Sequence, residues 1–277
     1  MHARHLQRFL TAVFLSTLCL VSARAQAPAS PAQPDLTEDQ MKDFLLRAKV
    51  VASRHTSTGT TSPWRLTLSD GTITHDALFQ SIDDRKTSTQ LADGTTQLNF
   101  VDSYRYNIAG YEIGRLLAIG HMIPVTVQRN WNQMTGSLSW WVTVKMDERT
   151  RQTQKIAPPD PDAWNKQLNH LNIFAQLIFD TDANQTNYLI TEDWKLWRVD
   201  FSRAFRLNKT LPNDKALAAC SRDFLAKLRA LNRSDVEAKT KGQLTKSEID
   251  ALMARRDRIV SYFDRLVAEK GEAAVLF

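Results

Sequence analysis

Residues 179–205 read FDTDANQTNYLITEDWKLWRVDFSRAF. Tyr188-Leu189-Ile190-Thr191 and Trp194 to Val199 are rich in strand formers, and Glu192-Asp193 between them is the connection, so the stretch reads as a β-hairpin. Closing the turn there sets Asn187 opposite roughly Arg198, at the hairpin's open end. Asp200 follows just past the second strand, and Asp182 stands in the loop leading in. Two hard oxygen donors, Asn187 and Asp200, converge with a free carboxylate beside them. Magnesium and manganese take such sites when they share few protein ligands with substrate phosphates.

Two other readings fit parts of the stretch. Asp180, Asp182 and Asn184 match the first, third and fifth positions of a calcium loop. The required glycine then falls on Gln185 and the bidentate glutamate on Thr191, with Glu192 adjacent, and the flanks are a helix and a hairpin instead of two helices. Alternatively Asp182, Asn187 and Asp200 are turn residues that satisfy local backbone groups. That reading leaves the strand–turn–strand context unexplained.

Working outward, the beginning of the chain indicates export. Arg4 and Arg8 precede an apolar run from Phe9 to Val21, followed by Ala23-Arg24-Ala25. This is a charged segment, a short apolar core and a small-x-small cleavage site, a signal peptide over residues 1–25 that delivers the chain to the periplasm or outside the cell in a bacterium. Cleavage would leave 33 basic against 30 acidic residues, so the formal charge drops from +6 to +3. The basic excess is partly a targeting feature and gives no warrant for a nucleic-acid partner. No later segment is long and apolar enough to span a bilayer. Cys220 would remain as the one cysteine, so no internal disulfide is expected.

Residues 26–35, QAPASPAQPD, form a Pro/Ala linker without packing capacity. Thr37 caps a helix bearing Met41, Phe44, Leu45 and Ala48. Short strand signals follow, with turns at Asp70-Gly71 and Asp93-Gly94. A helix capped at Asp102 or Ser103 presents Ala109, Ile113 and Leu116 or Leu117 and ends at Gly120; two strands then flank a turn near Gly136. Beyond Pro158, Pro159 and Pro161 the pattern turns helical: Asp162 caps one helix, and Thr245 with Glu248 forms the capping box of the last, closed by Gly271. Two unlike lobes result, 36–150 rich in strands and 151–277 mainly helical. His55, His75, His121 and His170 show no metal-ligand spacing, and the tryptophans read as packing.

DTDANQTNYLI…KLWRVDFSRAF resembles the catalytic hairpin of the atypical kinases: the phosphatidylinositol 3/4-kinases, HipA-like kinases and secretory-pathway kinases. The resemblance implies an α+β, two-lobed protein-kinase-like fold with a strand-rich N-lobe and a mainly helical C-lobe. It implies that Asp182 orients or deprotonates an acceptor hydroxyl. Asn187 and Asp200 then hold Mg2+ or Mn2+ on the phosphates of ATP, and DFS stands where many kinases have DFG. STGTTSPWRLTLSDG corresponds to the phosphate-covering hairpin with Gly59 in its loop, HDALFQSID to the third strand, and SYRYNIAGYEIGRLL to the regulatory helix.

The departures are as informative. Gln80 stands where the third strand should carry a lysine for the nucleotide phosphates, and Asn107 where the helix should offer the glutamate that pairs it. A buried glutamate without its lysine would be costly. Two amides can still hydrogen-bond, at the loss of a charge that offsets developing phosphate charge. Lys49, Arg65 or Lys145 are the candidates for a displaced cation, and Glu112 points to another helix face than Asn107. Two functions follow from the resemblance: a divergent, weakly active metal-dependent phosphotransferase acting on a protein or small-molecule acceptor, or an inactive pseudokinase serving as a binding module.

Overall fold

The computed structural model describes residues 36–56, 63–90, 94–180 and 184–277, and Leu36–Phe277 forms one compact unit. Gly59 and Asp182 lie outside the described residues, as do the signal peptide, the linker and Asp93.

Helix α1 (Glu38–Arg47) starts at the expected cap, where Thr37 and Gln40 bond each other's backbone N–H. Strands β1 (Lys49–His55), β2 (Trp64–Ser69) and β3 (Thr74–Gln80) form an antiparallel meander. A polar hairpin follows, β4 (Asp83–Gln90) and β5 (Thr96–Ser103), as a separate two-stranded ribbon. β4, DDRKTSTQ, has no apolar alternation, so the sequence carried no strand signal there. Helix α2 (Tyr104–Leu116) is capped by Ser103, whose hydroxyl accepts the N–H of Arg105. It stops short of the expected Gly120, because Ala118 turns left-handed at φ 60°.

β6 (Thr126–Trp131) and β7 (Met134–Trp140) complete a five-stranded sheet in the order β1-β2-β3-β7-β6. Their turn is Asn132-Gln133, both at positive φ, as a two-residue hairpin requires. Gly136, expected in that turn, sits inside β7. A Cβ there would stand 2.3 Å from the carbonyl oxygen of Gln80, so glycine is what lets the two strands close up.

The pleat separates the faces of this sheet. Trp140 lies opposite Ala77 and meets Phe44 of α1 edge-on at 5.7 Å, so Ala77, Phe79 and Leu138 form the covered outer face. Asp76, Leu78 and Gln80 alternate with them on the opposite face, from which Gln80 reaches Asn107 of α2.

There, β8 (Met146–Asp147) leads into α3 (Glu148–Thr153) and α4 (Pro161–Ile178). The cap of α4 is Asp160, not Asp162; the carboxylate of Asp160 accepts two N–H groups and Pro161 takes the first helical position. β9 (Tyr188–Ile190) and β10 (Leu196–Arg198) form the hairpin, and β8 pairs with β9. Position 150, where the strand-rich part was expected to end, lies inside α3. α5 (Arg222–Ala230), α6 (Arg233–Lys239) and α7 (Lys246–Lys270) close the lower half; α7 has its Thr245/Glu248 capping box and ends at Gly271, φ 81°. Phe174, Leu177, Leu225, Leu252 and Phe263 are fully buried between them. The architecture is α+β, a strand-rich part followed by a mainly helical one.

Candidate active site

The hairpin register differs from the expected one by a residue. Leu196 pairs Ile190 and Arg198 pairs Tyr188, so Asn187 stands opposite Val199 and accepts its N–H at 3.0 Å. The connection is longer than Glu192-Asp193: the Trp194 N–H closes on Thr191 at 3.0 Å, and Trp194 itself is left-handed at φ 60°. A turn followed by one αL residue adds a residue to the loop and shifts the pairing. The shift leaves Asn187 and Asp200 at the same open end, one on each strand continuation.

Asp200 holds φ 60°, a left-handed backbone uncommon for any residue with a Cβ. Its carboxylate accepts the Ser202 N–H at 3.3 Å. Asn187 is half-buried, and its side-chain nitrogen is buried without a hydrogen-bond partner among the described residues. Carboxamide nitrogen and oxygen are exchangeable by a flip, so this orphaned amide is free to present oxygen to a cation. No group of three or more His, Cys, Asp or Glu able to hold a metal stands among the described residues. A cation here would take Asp200 and Asn187 and complete its shell from ligand phosphates and water, which suits Mg2+ or Mn2+.

Gln80 and Asn107 are in contact. Asn107 Nδ2 donates to Gln80 Oε1 at 2.9 Å, and Asn107 Oδ1 accepts the backbone N–H of Phe201 at 2.7 Å. Both side chains are buried. One carboxamide therefore ties β3, α2 and the residue after Asp200 together without a formal charge. Of the candidate displaced cations, Lys145 pairs Glu192 at 3.5 Å, Arg65 is bound to Asp76, and Lys49 is exposed on the edge strand; none bonds Gln80 or Asn107. Glu112 faces α1, bonded to Lys42 at 3.1 Å.

Two supports escaped the sequence reading. The first is Gly110, one turn after Asn107 on α2. A Cβ there would lie 2.6 Å from the Phe201 ring, so the glycine makes room for the ring, which also meets Phe174 edge-on at 5.7 Å. The second is a fully buried ion pair, Arg198 with Asp180. Arg198 also donates to the carbonyls of Val199 and Asn187, and its guanidinium lies 4.9 Å from the Tyr188 ring centre. This pair fastens the segment just after α4 to the open end of the hairpin. It also engages Asp180, the first position of the calcium-loop reading, with an arginine. An Asp eighteen residues before an Arg carries no local signature. The β5–α2 junction anchors the same segment: the Ser103 N–H donates to Ser202 O at 2.8 Å, and Arg203 pairs Asp102 at 3.1 Å.

No protein-family model matches this chain, and no curated protein does either. Solved structures do. A hydra Fam20 structure with sugar superposes at TM-score 0.64 with 16% identity, covering 86% of this chain and 91% of that one. The Golgi casein kinase with Mn/ADP bound gives 0.61 and 12%, over 86% and 78%. The Helicobacter pylori proinflammatory kinase CtkA gives 0.53 and 8%, over 82% and 98%. At such low identities the likeness is one of fold: the chain shares the fold of these kinase structures.

Proposed function

We propose that this is an exported kinase-like protein that binds a nucleotide with Mg2+ or Mn2+ between the inner face of the five-stranded sheet and the β9–β10 hairpin, and that transfers phosphate weakly. The supporting observation is the Asn107 carboxamide, which holds Gln80 on one side and Phe201, next to Asp200, on the other. The link keeps the strand, the helix and the Asp200 segment aligned while removing the charged pair expected there. Asn187 and Asp200 would hold the divalent ion, and the ion would supply the charge that draws the ligand phosphates into line. Asp182 would orient the acceptor hydroxyl or take its proton. A neutral amide in place of a lysine offsets none of the charge developing on the phosphates, and this is why turnover should be slow. The Mn/ADP bound to the Golgi casein kinase is a precedent for such a ligand set in this fold.

The neutrality of Gln80 also favours a second reading, a binding module without turnover. A thermal-shift titration with ATP or GTP and Mg2+ or Mn2+, beside Asp200→Ala, tests the nucleotide site. Metal-dependent stabilisation abolished in Asp200→Ala supports it, and transfer of a labelled γ-phosphate then separates the two readings. No shift with any nucleotide removes the nucleotide site and leaves the binding module. Fractionation of the expressing cells tests export; among the described residues no helix is long and apolar enough to cross a membrane.

A further inference from the structure

The inner face of the sheet carries a second polar constellation, away from Gln80. Arg65 on β2 stands directly opposite Leu78 on β3, and Thr67 opposite Asp76. Residues opposite one another in an antiparallel pair share a face, as do Asp76, Leu78 and Gln80 on alternate positions of one strand. Arg65 is therefore on the face from which Gln80 reaches Asn107. Its Nε donates to Asp76 Oδ2 at 2.6 Å, and the other Asp76 oxygen accepts the Thr67 hydroxyl at 2.6 Å. The guanidinium lies 4.0 Å from the ring centre of Trp141, just after β7. Trp141 is itself fixed: its N–H donates to Asp76 O at 3.1 Å, and its carbonyl stands 3.1 Å from His75 Nε2. The Arg65 side chain keeps 29% of its surface exposed, so it is held in place without being closed off.

This placement has a direction. Under the proposed function, Asp200 and Asn187 hold the metal and phosphate end of the cleft beside Gln80. Asp76 is four residues back along β3, about 13 Å at the usual rise of a strand. That is the scale of an extended nucleoside triphosphate, so its base would reach Leu78 and Arg65, which stand opposite one another on β3 and β2. An arginine clamped in-plane by a carboxylate and backed by an indole offers its remaining planar face for stacking.

We propose that Arg65, clamped by Asp76 and backed by Trp141, is the platform on which the base of the bound nucleotide stacks. The proposal rests on the nucleotide site proposed above and specifies its base end. Stacking on a guanidinium is tolerant of base identity, because every base has a π face. The site therefore takes ATP and GTP with similar affinity. Arg54, exposed and opposite Arg65 on β1, adds positive potential at the same end.

The test is calorimetric titration of ATP, GTP and inorganic triphosphate, each with Mg2+, into the wild-type protein and Arg65→Lys. Lysine keeps the charge beside Asp76 and removes the planar face. ATP and GTP should each weaken about tenfold in Arg65→Lys while triphosphate is unchanged. Trp141→Leu, which removes the backing ring and leaves Arg65 in place, should weaken both nucleotides several-fold and serves if Arg65→Lys folds poorly. Unchanged nucleotide affinity in both variants overturns the platform, as does an equal loss for triphosphate, which would make Arg65 a phosphate ligand. A wild-type protein that binds no nucleotide overturns the nucleotide site itself, an outcome distinct from both.

Discussion

Asn107 Oδ1 accepts the backbone N–H of Phe201 at 2.7 Å, and the same carboxamide donates to Gln80 at 2.9 Å. Replacing Asn107 by Leu leaves two buried polar groups unpaired and should cost about 2–4 kcal/mol in a urea melt. Gln80→Lys alone buries an unpaired ammonium and Asn107→Glu alone an unpaired carboxylate, each costing about 3–5 kcal/mol. The double variant should recover a large part of that loss and, under the proposed function, bind nucleotide more tightly than the wild type. Additive losses in the double-mutant cycle would show that the two positions do not act as a pair.

Gly110 and the Phe201 ring give a prediction of unusual sign. Alanine is the better helix former by about 1 kcal/mol, so Gly→Ala inside a helix ordinarily stabilises. At position 110 the added Cβ drives into the Phe201 ring. Gly110→Ala should lower stability by about 1–3 kcal/mol, the range for overpacking a core. Because the displaced ring adjoins Asp200, it should also reduce metal-dependent nucleotide stabilisation. A raised Tm with the nucleotide response intact would contradict this packing.

The Arg198–Asp180 pair makes a third. Both side chains are 2% exposed, so removing one partner strands a buried charge. Arg198→Met should cost about 3–5 kcal/mol by chemical denaturation, and adding Asp180→Asn should restore part of it. The bond from Arg198 to the Asn187 carbonyl makes the hairpin's open end loosen first, which hydrogen exchange at Val199 would report.

Acid sensitivity should begin near neutrality. Burial pushes His75 below the ordinary histidine value, partly opposed by the Trp141 carbonyl and Asp76 and reinforced by Arg65. Burial does the same at His121 and His170. Below about pH 6.5 the unfolded chain takes up protons that the folded one refuses, so stability is full above that value and falls as pH drops toward the folded values. Tm should be lower at about pH 5.5 than at about pH 7.5. His75→Phe, keeping the stack on Trp140 seen at 3.7 Å, should shrink the difference. Asp76 and Asp83, held below the usual carboxylate range by their hydroxyl and arginine partners against the opposing effect of burial, lose their contribution only below about pH 4. A flat Tm between the two higher values would show that the buried histidines carry no such penalty.

The elements written in local chemistry were legible in the chain: the Thr37 and Thr245 caps, the Gly271 stop, the hairpin with Asn187 and Asp200 at one end, and the order of strand-rich and helical halves. Capping, turn formation and strand alternation act over a few residues, so their signals survive in one dimension. The one-residue register shift was not legible, because it depends on Trp194 entering a left-handed conformation that its type does not announce. Nor was β4, a polar ribbon strand formed by pairing without an apolar face. Gly110 against Phe201, Asp180 against Arg198, and Arg65 between Asp76 and Trp141 were decided by tertiary structure alone. Each joins residues remote in sequence or on different elements, where fit and the cost of an unpaired buried charge do the selecting. The candidate residues could thus be named from the sequence, and the shell around them was set by packing.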